Sequence, residues 1–234
     1  MLASADGCKG GWLVVKSPSW PCEALPYMSI CYDFRSILEF TKDCERVVVD
    51  IPIGIPSGRR IRACDLLAKS MLKTGGASSA VFLAPPRETF PARNPKEFQK
   101  LHREAREKGA GLPVWGILGK IKEADASMEP EFQLRVLEFH PELAWLRVAG
   151  RYLGSKHTDA GLAKRMEVLS KYVPGFLSTS VWHARLGRAA RLDDLLDAMI
   201  GIAAAQASIR SRTHCLPKGV KDIDDRGLSM EMWY

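Results

Sequence analysis

The stretch "RVVVDIPIG" (46–54) limits the fold more than any other part of the chain. Its three consecutive valines show no polar alternation, so both faces of that strand must be covered. Such a strand belongs in the middle of a sheet with helices on either side. Pro52 has no backbone N–H, so ladder pairing stops close to Asp50. The run therefore ends on a carboxylate at the lip of a buried sheet, where an unpaired charge is costly.

The surrounding segments agree with an α/β fold built on a mixed sheet. The opening "LASADGCKGGWLVVKS" reads as a hairpin turning at Gly7, Gly10 and Gly11. Residues 23–32 form a third strand, placed at an edge by Pro26. Asp33 caps a short helix. Further helices are expected over 59–73 and 96–108, from Pro141, from Thr158 as cap, and over 192–210. Residues 132–139 read as a strand carrying Glu138 near its end, and "LSMEMWY" as a final edge strand. We expect one domain over 1–234, with an insertion or cap at about 75–130 and a loop with a basic segment at 174–191.

Composition excludes several classes. Apolar runs are far shorter than the ~20 residues of a membrane span. Asp6 and Lys9 interrupt any signal peptide, which points to the cytoplasm. Six cysteines without a CxxC pair argue for free thiols, and Cys8 and Cys64 read better as buried thiols than as nucleophiles. The net charge of +7 permits a nucleic-acid partner. The charge is dispersed, however, and aromatic residues do not alternate with it, so no single-strand stacking platform is visible. Oligomeric state is not encoded in any feature we recognise.

Acids recur where elements end: Asp6, Asp50, Glu138, and the helix "RLDDLLDAMIGIAAA" (191–205). In that helix Leu192, Leu195, Leu196, Met199, Ile200 and Ala203 form an apolar stripe. Asp193, Asp194 and Asp197 lie beside it, on a side continued by Gly201, Ala204 and Ala205. Small residues there imply close packing, so these aspartates are expected to face the protein. If the strands of Asp6 and Asp50 are parallel neighbours, their acids share the carboxyl edge where α/β sites sit. Crowded carboxylates must take up protons or bind a cation. An oxygen-only ligand set points to Mg²⁺ or Mn²⁺, and a pair of ions about 3.5–4 Å apart supports phosphodiester hydrolysis by activated water. Each acid has an ordinary alternative. Asp6 can belong to a hairpin turn, Asp50 can cap one, Glu138 can pair with an arginine, and Asp193 or Asp194 can serve the helix dipole.

The ordered motifs "DGCKGGW" (6–12), "DIPIGIP" (50–56), "RACDLLAK" (62–69), "GKIKEAD" (119–125), "EFHPELAW" (138–145), "KHTDAGLAKR" (156–165) and "LDDLLDA" (192–198) resemble the domain-of-unknown-function family 429. That family is described as predicted nucleases of RNase H-like fold. The resemblance implies a five-stranded mixed sheet of order 3-2-1-4-5 flanked by helices. It places acids at Asp6, Asp50 and Glu138. The last motif also resembles that of Holliday-junction resolvases, at Asp194 and Asp197. The resulting reading is a metal-dependent nuclease with Asp6, Asp50, Glu138, Asp194 and Asp197 as ligands and catalytic acids. His140, Glu142 and Asp193 stand as supporting groups, with His140 more readily read as a hydrogen-bonded structural histidine before a helix. Lys120, Lys156, Arg62, Arg87 and Arg165 are candidates for substrate phosphates, or else partners of the surplus acids. The rival reading is a module that binds a nucleotide or phosphoryl ligand without hydrolysis.

Overall fold

The computed structural model describes residues 1–176 and 187–234. The expected segment at 174–191 thus lies largely outside the described residues. Five strands form the main sheet: β1 (Leu2–Cys8), β2 (Gly11–Ser17), β3 (Tyr27–Cys31), β4 (Arg46–Val49) and β5 (Val136–Glu138). Their order is β3-β2-β1-β4-β5, with β1 to β3 antiparallel in sequence and β1, β4 and β5 parallel. The valine run is central, and Val47, Val48 and Val49 are all fully buried. Their missing alternation has the expected cause: Val48 packs into one apolar layer, and Val47 and Val49 into the layer on the opposite face.

Seven helices are described. α1 (Phe34–Phe40) is capped by the Asp33 carboxylate, and α2 (Ala63–Lys73) follows the "DIPIG" turn. The 75–130 stretch holds α3 (Pro95–Arg106) and α4 (Leu112–Ser127). The sequence pattern assigns no element to the second of these. Its glycines at 116 and 119 and its weak one-sidedness hide the helical period. The two helices differ in role. Phe98 of α3 sits in a small cluster with Val114 and Leu118, whereas Ile121 and Ala124 of α4 join the layer under β1 and β4. α5 (Pro141–Ala149) and α6 (Asp159–Ser170, capped by Thr158) follow β5. α7 (Leu192–Arg210) closes the fold.

Two strand expectations change. Only Val136–Glu138 of the 132–139 segment is strand, because Phe132–Leu134 turns as a 3-10 helix. The C-terminal strand does not extend the main sheet as a full edge strand. β7 (Met232–Trp233) instead pairs with β6 (Cys215–Leu216), and meets the β5 side through a single bridge between Phe139 and Trp233. All six cysteines are free and buried. Among the described residues, no helix is long and apolar enough to cross a membrane.

α7 presses closely on β1, and Gly201 makes that possible. A Cβ at this position would lie 1.8 Å from Ser4 Oγ and 2.8 Å from Phe139 Cζ. We expect Gly201→Ala to cost about 1–3 kcal/mol by overpacking, measured by chemical denaturation. An unchanged midpoint would mean that the helix sits farther from the sheet.

Candidate active site

The site begins with strand register. β1 and β4 are parallel neighbours in which Ala5 faces Val49, and the Asp50 N–H donates to the Ala5 carbonyl at 3.0 Å. One residue further along each chain stand Asp6 and Asp50, side by side at the carboxyl edge. Alternation along a strand puts Asp6 on the same face as Leu2 and Ser4. That is the face covered by α7. Because Gly201 rests on Ser4, Asp197 lies one helical turn earlier and comes over the acid pair. Asp6 and Asp197 are buried, and Asp50 keeps partial access to solvent.

The Asp6 and Asp50 carboxyl groups stand close enough to act on each other's ionisation. Two carboxyl groups so placed resist ionising together, which favours one of them keeping its proton. Burial raises Asp6 well above the usual carboxylate range, and Asp50 and Asp197 add to the effect. Burial likewise pushes Asp50 up to about 7, with Lys156 opposing the rise. Lys156 is the cation of this cluster. Its Nζ donates to Asp197 Oδ2 at 2.5 Å, while Trp145 Nε1 donates to Asp197 Oδ1 at 3.0 Å. Both Asp197 oxygens are thereby engaged. The supporting tryptophan escaped the sequence reading, where Trp145 counts only as an apolar residue of its helix. Its place inside the "EFHPELAW" motif was the available signal.

Asp194 and Asp193 take the ordinary helix-start role left open above. Asp194 Oδ2 accepts from the Arg191 N–H at 2.8 Å, capping the first turn, and Asp193 Oδ1 pairs with Arg191 Nε at 3.2 Å. Asp194 still adds negative potential at Asp6 from the rim.

Glu138 departs from the expected cluster. Its register partner is Val49, whose side chain belongs to the layer opposite α7. Strand parity therefore sends Glu138 to the other face of the sheet. There it is an ion-pair partner of fully buried Arg62, which also meets Asp65 at 3.0 Å, and Glu138 Oε2 accepts from the Ile53 N–H at 2.7 Å. The group holds the "DIPIG" turn rather than the acid pair.

The other candidate phosphate binders are also internal. Arg165 is fully buried, bonds Glu142 at 2.6 Å, and donates to the carbonyls of Gly154 and Gly161. Arg87 bridges Asp125 at 2.5 Å and Asp224 at 2.9 Å. Lys120 Nζ donates to the Gly11 carbonyl and lies 4.5 Å from the Trp12 ring centroid. Of the five, only Lys156 belongs to the acid cluster. His140 precedes α5 with Nε2 3.3 Å from the Ala80 carbonyl, and burial lowers it to about 4. It is neutral at physiological pH, as a structural histidine would be.

A family model described as "Protein of unknown function (DUF429)" matches residues 5–222. The chain belongs to this family. No curated protein and no solved structure matches it. For this DUF429 protein the donor chemistry can be tested directly against a divalent ion. Among the described residues, no three His, Cys, Asp or Glu side chains are arranged to hold one ion. The five-acid shell expected above is therefore reduced. Mg²⁺ commonly uses one or two carboxylates, with water and substrate phosphate filling the octahedron. Asp6 and Asp50 meet that requirement, being oxygen donors in mutual contact whose closeness a cation relieves.

Proposed function

We propose that this DUF429 protein is an RNase H-like phosphodiesterase that hydrolyses nucleic acid with Mg²⁺ or Mn²⁺ held by Asp6 and Asp50. The observation that carries this reading is the carboxyl pair of Asp6 and Asp50 at the ends of neighbouring parallel strands, raised in pKa by burial. The strand order 3-2-1-4-5 agrees with an RNase H-like sheet. When bound, the divalent ion supplies charge neutralisation, polarisation of a phosphoryl oxygen and activation of water.

The chain's own residues contribute the rest. Asp6 and Asp50 fix the ion at the sheet edge, where the partial exposure of Asp50 leaves an approach. Trp145 orients Asp197. Lys156, with about a third of its side chain exposed, is positioned to turn from Asp197 toward a substrate phosphate as a point charge. That movement frees an Asp197 oxygen beside Asp6. The net charge of +7 favours a polyanionic substrate.

Two measurements test the proposal. Calorimetry should show Mn²⁺ binding that Asp6→Asn and Asp50→Asn each abolish. A panel of DNA and RNA forms with Mn²⁺ should show cleavage that either substitution lowers at least about 100-fold. Mn²⁺ binding without cleavage of any form would favour the non-hydrolytic phosphoryl-binding role. Full cleavage by both variants would remove the site.

A further inference from the structure

A cavity of about 530 Å³ opens between the 79–83 segment and the α3–α4 connection. Its size suits a small-molecule ligand. Val81, Phe82, Pro113 and Val114 give it apolar walls, and Arg59, Arg106 and Lys108 line it with positive charge. Among the described residues, no carboxylate lines it. Arg59 is paired with Glu107, and Arg106 is occupied by the carbonyls of Ala84 and Arg60. The Lys108 side chain is exposed, and among the described residues its backbone carbonyl meets His102 Nδ1 at 2.6 Å.

That last contact defines the polar character of the interior. Burial lowers the pKa of His102, so the ring is neutral at physiological pH. A neutral ring facing a carbonyl through Nδ1 carries its proton there, which leaves Nε2 as an acceptor. The cavity thus combines apolar walls, a neutral histidine among its lining residues and a cationic rim. A planar heterocycle with an anionic tail suits all three.

The cavity also shares part of its wall with the cleft at Asp50. Val81 and Phe82 line it and, on their other side, line the small cleft containing Asp50 and His140. The Ala80 carbonyl that helps form the wall contacts His140.

We infer that this cavity binds the base of a nucleotide-sized anion, with Lys108 at its phosphate. The inference rests on the phosphodiesterase reading for its choice of a phosphoryl ligand, but the binding itself requires no hydrolysis. The probes are therefore AMP, adenosine and inorganic phosphate, titrated calorimetrically into the full chain with EDTA present. AMP should bind at least 10-fold more tightly than either fragment. Lys108→Glu, an exposed change, should weaken AMP at least 10-fold and leave adenosine unchanged. Ala110→Trp, which fills the cavity, should abolish both. Asp50→Asn should leave AMP affinity in EDTA unchanged, so loss of the hydrolytic role and loss of this pocket are separable results. AMP no tighter than adenosine or phosphate would overturn the inference, as would AMP affinity unaffected by Lys108→Glu.

Discussion

Asp50→Asn is expected to make the metal-free protein more stable at neutral pH while abolishing divalent-ion binding. The folded protein holds the Asp50 proton up to about 7, whereas an unfolded chain releases it near the ordinary value of about 3.9. Between those limits the folded state binds more protons than the unfolded state. Stability of the metal-free protein must then fall as pH rises through this window. The full shift corresponds to about 4 kcal/mol, and the partial exposure of Asp50 reduces the expected gain to about 1–3 kcal/mol. Asparagine removes the titrating group and keeps a hydrogen-bonding partner for Asp6. Urea denaturation at pH 5 and pH 7.5 in EDTA checks this. The wild type should lose stability across the interval, and the variant should lose distinctly less. Excess Mn²⁺ should stabilise the wild type and leave the variant unmoved, as linkage requires of a ligand that binds only the folded state. A variant less stable than wild type at pH 7.5 in EDTA would show that the acid pair is not a source of strain. A gain in stability with a loss of function is the pattern expected where buried charges are retained for binding.

The sheet was legible from sequence because its signals are local. The valine run has no polar face, the glycines at 7, 10 and 11 mark the first turn, and Pro52 ends the central strand. The pairing of Asp6 with Asp50 followed from one assumption, that their strands are parallel neighbours, and the register meets it. Gly201 and the alanines after it correctly placed the aspartate side of α7 against the protein. The role of Glu138 was not legible in the same way. Which face a strand residue occupies depends on parity relative to its partner, and β5 is too short to reveal it by alternation. A one-residue difference in register would have put Glu138 on the α7 side. The two readings of the cations could not be separated for a related reason. An arginine in a motif looks the same whether it meets substrate or a buried carboxylate, and burial is a property of the whole chain. Arg62, Arg87 and Arg165 turned out to answer acids elsewhere, including Asp65, Asp125 and Asp224, which no sequence pattern had singled out.

Arg62→Met should be among the most damaging single substitutions in the protein. Arg62 is fully buried and neutralises two carboxylates, Glu138 and Asp65, that are themselves nearly inaccessible. Methionine matches much of the side-chain stem, so packing changes little. What remains is a pair of buried acids without a cation, a condition that costs about 3–5 kcal/mol. The folded state can relieve part of this by protonating Glu138, which burial already raises to about 7. The penalty should therefore be smaller at pH 5 than at pH 8, where Glu138 must ionise. Adding Glu138→Gln to Arg62→Met should recover a good part of the loss, because the amide oxygen still accepts from the Ile53 N–H. The single change Glu138→Gln separates the two roles considered for this residue. As a structural partner of Arg62 on the far face of the sheet, it should alter stability and leave Mn²⁺ affinity within about threefold of wild type. Loss of Mn²⁺ binding in Glu138→Gln, with an unchanged denaturation midpoint, would return Glu138 to the acid centre. It would also show that parity does not separate it from Asp6 and Asp50 in the working protein.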